Sequence, residues 1–349
     1  MVLKLMAALA LTLTAAGLPA DPTSTATPAA DAVAPPAAAG SQRIPFVLKP
    51  GIELPKLDNF NPLPDADPEF SAQIDALVKE TGLDVMTPAA DNQDGEDEWS
   101  SICIVDLRDR DKPRVASWKA VNFIYPASTY KMYVIGEAIR EVVAGEHKLD
   151  DVLTVSEKNW RKDSKLVSGE KTTLSEILRL TAQYSDNTAA NIAIDTVDRQ
   201  KATALMWALG CKGSEITRKF LGRDSEDEGY ANIVSTTSCA LHQATFLWAV
   251  ESGAIGGGKG RGLIKAYLSM CESDYDRNRK ALPDSATLFS KTGEWENFTT
   301  EASIVEDGDT RYIIAVMTAQ PRETVAPKMV AFATKVHELM KQQVVMKKD

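Results

Sequence analysis

The spacing of apolar positions along this chain changes several times, and the changes divide it into elements. Behind Asp67-Pro68-Glu69, the residues Phe70, Ile74, Leu77 and Val78 recur on one helical face. Ser101 to Leu107 is a short, nearly continuous apolar run that predicts a strand. Arg108 to Pro113 is a charged turn, and Val115 to Ile124 the returning strand. Helical spacing resumes behind Tyr125-Pro126-Ala127-Ser128-Thr129-Tyr130-Lys131 and lasts to Ala144-Gly145. Leu149 to Val155 is short and mixed. Thr173 and Glu176 form a capping box that opens a helix ending near Tyr184. Asn187 to Asp198 and Gln200 to Ala208 read as further helices, and Cys211 to Val234 is polar and irregular. Thr236 to Ser252 and Ile264 to Ser273 are helical again. Thr287 to Lys291, Thr299 to Val305 and Tyr312 to Thr318 predict three strands. Pro327 to about Gln343 is a closing helix, with Met329, Phe332, Val336 and Met340 on a stripe that reads as core packing.

Strands therefore stand at both ends of the domain with helices between them. The predicted class is α/β: one antiparallel sheet built from both ends and flanked by helices, with an all-helical subdomain inserted in the middle.

Composition adds boundaries. Residues 1–20 read as a signal peptide, with Lys4, an apolar run from Leu5 to Gly17, and small residues at Ala15-Ala16-Gly17 and Pro19-Ala20. That run is too short to span a bilayer, and no cysteine near it offers a lipid anchor, so a periplasmic or secreted protein is expected. Residues 21–66 are rich in Ala, Pro and Thr and read as a linker or extended arm, followed by the main domain over 67–345. The acidic segment Asp91 to Glu98 reads as a solvated loop. A net charge of −10 argues against nucleic acid or an anionic membrane as main partners.

Several chemistries are disfavoured. Cys103, Cys211, Cys239 and Cys271 stand singly, without a C-x-x-C pair, and read as small buried hydrophobes. His147, His242 and His337 are isolated, which disfavours a zinc enzyme or a Ser-His-Asp hydrolase. The glycine-rich run Gly253 to Gly260 nearly fits a phosphate-binding loop. It ends in glycine where Ser or Thr must hold Mg²⁺ and follows a helix, so it reads as a plain loop.

The chemistry begins at Ser128 and Lys131, three residues apart and so one turn apart on a helix face. A serine hydroxyl is a weak nucleophile until a base takes its proton, and a lysine whose pKa is lowered by burial or another cation is such a base. A second pair, Ser168-Gly169-Glu170-Lys171, has no apolar helix behind it and is treated as a decoy. The first pair has company. Ser185-Asp186-Asn187 stands at a junction of helical patterns, and Lys291-Thr292-Gly293 follows the apolar Leu288-Phe289.

These three motifs in this order resemble the active-site set of the penicillin-recognising serine hydrolases, most closely the class A β-lactamase-like branch. The resemblance takes in Tyr184 to Asn191, Ala281-Leu282-Pro283 and Thr236-Thr237, and covers roughly Asp67 to Gln343. It implies a β-lactamase/transpeptidase-like fold and an enzyme that opens β-lactam amides through a Ser128 acyl-enzyme, without metal or cofactor. Lys131 would be its base or proton relay, and Ser185, helped by Lys291, would pass a proton to the leaving nitrogen. Asn187 would bind the substrate's side-chain amide, Thr292 its carboxylate, and Gly293 would let it lie along the strand edge. Asp186 would brace the turn, and the N–H groups of Ser128 and Glu294 would form the oxyanion hole. A monomer is expected, acting on a small β-lactam or a peptidoglycan-derived molecule. The alternatives are a D-alanyl-D-alanine peptidase or esterase, and a penicillin-binding module that acylates without turnover.

Two departures bear on that choice. The family's deacylating glutamate lies in a Glu-x-x-Leu-Asn setting, which is absent here; Asp224, Glu226, Asp227 and Glu228 are candidates by position alone. The stretch Glu294 to Thr300 supplies no arginine for a substrate carboxylate, and Glu294 and Glu296 lie close by. Trp160 stands either in the core or as an aromatic at the cleft rim.

Overall fold

A computed structural model describes residues 44–85, 100–272 and 277–346. The expected signal peptide, residues 21–43 of the expected arm and the acidic Asp91–Glu98 segment lie outside the described residues.

Helix α1 is Pro68–Thr81, with the Asp67 side chain accepting from Phe70 N at its start and Gly82 closing it. Strand β1, Ser100–Asp106, is buried along its whole length because both faces of the sheet are covered. Strand β2, Arg114–Trp118, is shorter than the returning strand predicted. The chain turns at Lys119, whose φ is 48°, and beyond it Ile124 keeps a single bridge to Ser238. The helical subdomain follows. Helix α2 is Lys131–Ala144, strands β3 (Val152–Thr154) and β4 (Lys171–Thr173) pair as a small hairpin, and α3 is Leu174–Gln183. Glu176 N donates to Thr173 Oγ1 at 3.2 Å at the predicted cap. Next come α4 (Asn187–Val197), α5 (Arg199–Ala208), α6 (Ala240–Ser252), α7 (Gly257–Leu268) and α8 (Asn278–Ala281). Strands β5 (Thr287–Trp295), β6 (Phe298–Asp307) and β7 (Thr310–Thr318) complete the sheet, and α9 (Arg322–Met346) closes the chain.

The five-stranded sheet is antiparallel throughout, in the order β2-β1-β7-β6-β5. Its period-two alternation feeds two cores. Ile102, Ile104, Ile314 and Val316 pack with α1 and with Met329, Phe332, Val336 and Met340 of α9. Cys103, Val105, Ile304 and Ile313 face the helical subdomain. Strand β5 is left as the sheet edge and packs against the turn Ala127–Tyr130 ahead of α2.

Two further expectations need correction. Residues Gly257 onward are helical although glycine disfavours helix, because Ile264, Tyr267 and Leu268 are buried against the core. Gly260 is required there, since a Cβ would stand 1.9 Å from Ile255 O. The Thr236-Thr237 pair does not open a helix; α6 starts at Ala240, and Thr237 Oγ1 is drawn to Gly213 O at 2.8 Å.

Candidate active site

Ser128 lies in the 3-10 turn Ala127–Tyr130 that runs directly into α2, so its partner Lys131 is the first helical residue. Ala127 has φ 46°, a left-handed conformation that costs a residue with a Cβ on the order of 1–3 kcal/mol. What holds it is visible at Pro126 O. That oxygen accepts from Thr129 N at 3.1 Å, Thr129 Oγ1 at 2.7 Å and Thr300 Oγ1 at 2.8 Å. Gln243 Nε2 in turn donates to Thr129 Oγ1 at 2.7 Å. Residues from β6 and α6 thus fix the backbone around a half-buried Ser128.

Strand β5 meets the same turn at Gly293. A Cβ there would lie 2.5 Å from Pro126 O, 2.9 Å from Ser128 N and 2.4 Å from Thr300 Oγ1. The third motif is therefore packed against the first through a position that only glycine fits. If Ser128 forms the ester that its motif implies, Gly293→Ala is expected to lower the acylation rate by about 10²–10³-fold by displacing the Ser128 N–H. Stopped-flow acylation by benzylpenicillin measures this, and an unchanged rate would show that the strand edge can retreat at no cost.

The second motif is bound to the first through Lys131. Its Nζ donates to Ser185 O, to Asn187 Oδ1 at 2.8 Å and to Ser185 Oγ at 3.1 Å. Ser185 itself has φ 56°, so both candidate hydroxyl sites carry or adjoin strained backbone. Asp186 braces that strain. Its carboxylate accepts from Ala189 N at 2.9 Å, Ser164 Oγ at 2.8 Å and Lys165 N at 2.8 Å.

Lys131 is fully buried. Burial, and after it the charge of Lys291, push its amine well below the ordinary lysine range, against the weaker pull of Asp186 and Asp163. Lys291 is likewise buried, with Nζ donating to Thr292 O at 2.9 Å. Ser128, Lys131, Ser185, Asn187, Lys291 and Gly293 are thus brought together, and the surroundings of Lys131 disfavour its ammonium form. Its three donated bonds use all three ammonium hydrogens, so one of them is given up when the amine acts as a base. The decoy pair is elsewhere in kind: Ser168 and Lys171 are both exposed. Thr292 is buried, and Glu294 has an exposed side chain.

The irregular segment 212–239 contributes an aromatic ring to this site. The Phe220 ring centroid lies 4.0 Å from Lys131 Nζ and 4.8 Å from the Tyr130 ring, stacked at 8°. Asn191 Oδ1 accepts from Phe220 N at 2.7 Å, which fixes the ring's backbone. The candidate carboxylates are committed elsewhere. Glu226 accepts from Arg199 Nη2 at 3.0 Å and Lys219 N at 3.0 Å. Asp227 pairs with Lys158, Arg199 and Lys219. Burial opposes ionisation of Asp227, but the Lys158 and Lys219 ammonium groups prevail and hold it at about 2. Asp224 and Glu228 are exposed.

An arginine that the sequence pattern does not reveal stands beside the strand edge. Arg277, 2% exposed, donates from Nη1 to Thr300 O at 3.3 Å and from Nη2 to Glu294 Oε2 at 3.0 Å. Arg322 Nη1 reaches the same carboxylate oxygen at 3.4 Å. The buried Glu301 fixes the following residue, accepting from Asn278 N at 3.2 Å. The available signal was position: Arg277 shortly precedes Ala281-Leu282-Pro283, whereas the expected place for an arginine lay behind Gly293. Glu294 occupies this guanidinium, so for the anionic β-lactam substrate that the motifs imply, Glu294→Gln is expected to lower the half-saturating concentration about three- to tenfold. Concentration-dependent acylation rates measure it, and an unchanged value would remove Arg277 from substrate binding.

Trp160 is at the surface, 38% exposed, with Nε1 donating to Leu166 O at 2.9 Å. All four cysteines are buried free thiols. Among the described residues no group of His, Cys, Asp and Glu could hold a metal ion, and no helix is long and apolar enough to cross a membrane.

An antiparallel sheet with a helical insertion, and a serine turn facing a lysine-bearing edge strand, is the architecture of the β-lactamase and transpeptidase folds. The chain belongs to the β-lactamase enzyme family, whose model matches residues 88–342. Among solved structures, PBP-A is similar with a TM-score of 0.66 at 16% identity, over 80% of this chain and 99% of that one. A PBP-A mutant solved as an acyl-enzyme complex with penicillin G matches equally, at 0.66 and 16% over 81% and 100% of the two chains. A β-lactamase from Xanthomonas campestris pv. campestris gives 0.63 at 17% identity over 77% and 98%. At these identities the likeness is one of fold. No curated protein matches the sequence.

Proposed function

We propose that this protein is an exported serine enzyme that opens β-lactams and related D-alanyl amides through an acyl-enzyme on Ser128, and that it releases the acyl group slowly. Lys131, whose ammonium form is disfavoured by burial and by Lys291, takes the Ser128 proton in its deprotonated form as the hydroxyl attacks the carbonyl carbon. The C–N bond then breaks, and Ser185, aided by Lys291, delivers a proton to the departing nitrogen. The Ser128 and Glu294 N–H groups carry the oxyanion, Asn187 the side-chain amide, and Thr292 with Arg277 the carboxylate.

The observation that carries this reading is Lys131, buried against Ser185 and Asn187 beside the Ser128 turn and covered by Phe220. The same ring favours slow release, since Phe220 offers no carboxylate to activate water and Glu226 and Asp227 are bound to cations. A chromogenic cephalosporin assay paired with intact-mass measurement tests it. A stoichiometric adduct with little turnover is expected. Rapid turnover would contradict slow release, and no adduct with either a penicillin or a D-alanyl-D-alanine ester would contradict the whole reading.

A further inference from the structure

The residues just ahead of α1 lie along the body, and one part of them touches the segment that carries Phe220. Ile44 N donates to Asn232 O at 3.0 Å and Val234 N to Ile44 O at 3.1 Å, a parallel bridge between Ile44 and Ile233. Five residues on, Lys49 N donates to Gln200 Oε1 at 3.0 Å, and Gln200 Nε2 donates to Tyr230 OH at 2.8 Å. The Lys49 ammonium stands 5.3 Å from the Tyr230 ring centroid. Between these anchors Phe46 is buried, while Ile44 and Val47 are 57% and 71% exposed. The attachment is therefore made by main-chain hydrogen bonds and by Lys49 rather than by Ile44's own side chain.

The limb thus gripped is cross-linked to the limb bearing Phe220. Arg223 Nη1 donates to Ala231 O at 2.7 Å and Ile233 O at 3.1 Å, and its Nη2 to Ser235 Oγ at 3.0 Å. Arg223 stands three residues beyond Phe220. A short covalent and hydrogen-bonded path therefore joins Ile44 to the ring on Lys131. The segment 212–239 has no helix or strand longer than the 3-10 turn Arg223–Ser225 to stiffen it, so outside contacts decide how far it moves.

We propose that residues 44–49 are a positioning element that holds Phe220 over Lys131, and that this pairing sets how long the Ser128 ester survives. The second half rests on the acyl-enzyme reading above; the first does not. With the arm in place the ring shields the ester and its neighbouring amine from water. With the arm detached the loop loosens, water reaches the ester, and hydrolysis returns the Ser128 hydroxyl with release of the carboxylic acid.

The test compares Ile44→Pro with Ile44→Ala in the full chain. Proline removes the N–H that Asn232 O accepts, whereas alanine keeps it and trims only an exposed side chain. Hydrogen exchange at the Val234 and Phe220 amides is expected to quicken about tenfold or more in the proline variant alone. The benzylpenicillin adduct should be lost several times faster, with the acylation rate held within about twofold. Equal exchange at Phe220 in both variants would overturn the positioning role. Faster exchange with an unchanged adduct lifetime would overturn the link to the ester. If no variant forms an adduct, the acyl-enzyme reading fails and the proposed control of its lifetime falls with it. Exchange at Phe220 then decides the positioning claim either way.

Discussion

Lys131→Ala is expected to slow Ser128 acylation about 10³–10⁴-fold, the range of a lost general base whose neighbours also depended on it. Two consequences separate this from simple structural damage. Burial and Lys291 keep the amine's pKa below the ordinary lysine range, so the wild-type rate should fall as pH drops through that lowered value. Below it the ammonium has no lone pair for the Ser128 proton; above it the rate levels. The alanine variant should lose this acid limb altogether. Lys291→Ala should move the limb to higher pH, because the charge that helps to depress Lys131 is gone. Acylation rates against pH, followed by mass, check all three profiles. A wild-type profile flat through the acid range would mean that Lys131 is not the base.

Phe220→Glu is expected to raise the deacylation rate about 10²-fold or more, by setting a carboxylate where only a ring now faces Lys131. The cost is foreseeable. A carboxylate near Lys131 favours its charged form and leaves less of the neutral amine, so acylation should slow about tenfold. Phe220→Leu serves as the control, because it removes the ring without supplying a base. It should quicken deacylation several-fold at most, through the lost shielding, stay far below the glutamate variant, and relieve the stack on Tyr130. Single-turnover mass spectrometry separates the two steps. Equal deacylation in the glutamate and leucine variants would show that water cannot occupy this position, and the assignment of slow release to Phe220 would be withdrawn.

The features legible in the chain were those carried by neighbouring residues. Ser128 and Lys131 declare themselves by spacing, Thr173 by capping, and the last three strands by short apolar runs whose positions the sheet reproduces. Features that depend on distant partners stayed hidden. Phe220 sits in a polar run with no periodicity, and its meaning comes from Asn191 and Tyr130 rather than from its neighbours. Arg277 comes to stand beside the strand edge because Thr300 accepts from it and Glu301 holds the next residue, Asn278. Helix α7 was obscured by glycines whose intrinsic cost is outweighed by burial of Ile264 and Leu268. Helix α9 begins at Arg322, ahead of Pro327, which helix-start rules place at the first turn. The hairpin of β3 and β4 is three residues on each side, too short for alternation to reveal.

The pocket joins a turn, a helix start and a sheet edge that are far apart in the chain, and its covalent chemistry is assigned to a single oxygen. Peptide mapping after brief exposure to benzylpenicillin addresses that assignment directly. The expected result is one adduct, on the peptide containing Ser128, and none in Ser128→Ala. An adduct on any other peptide, or one that persists in Ser128→Ala, would contradict the assignment outright.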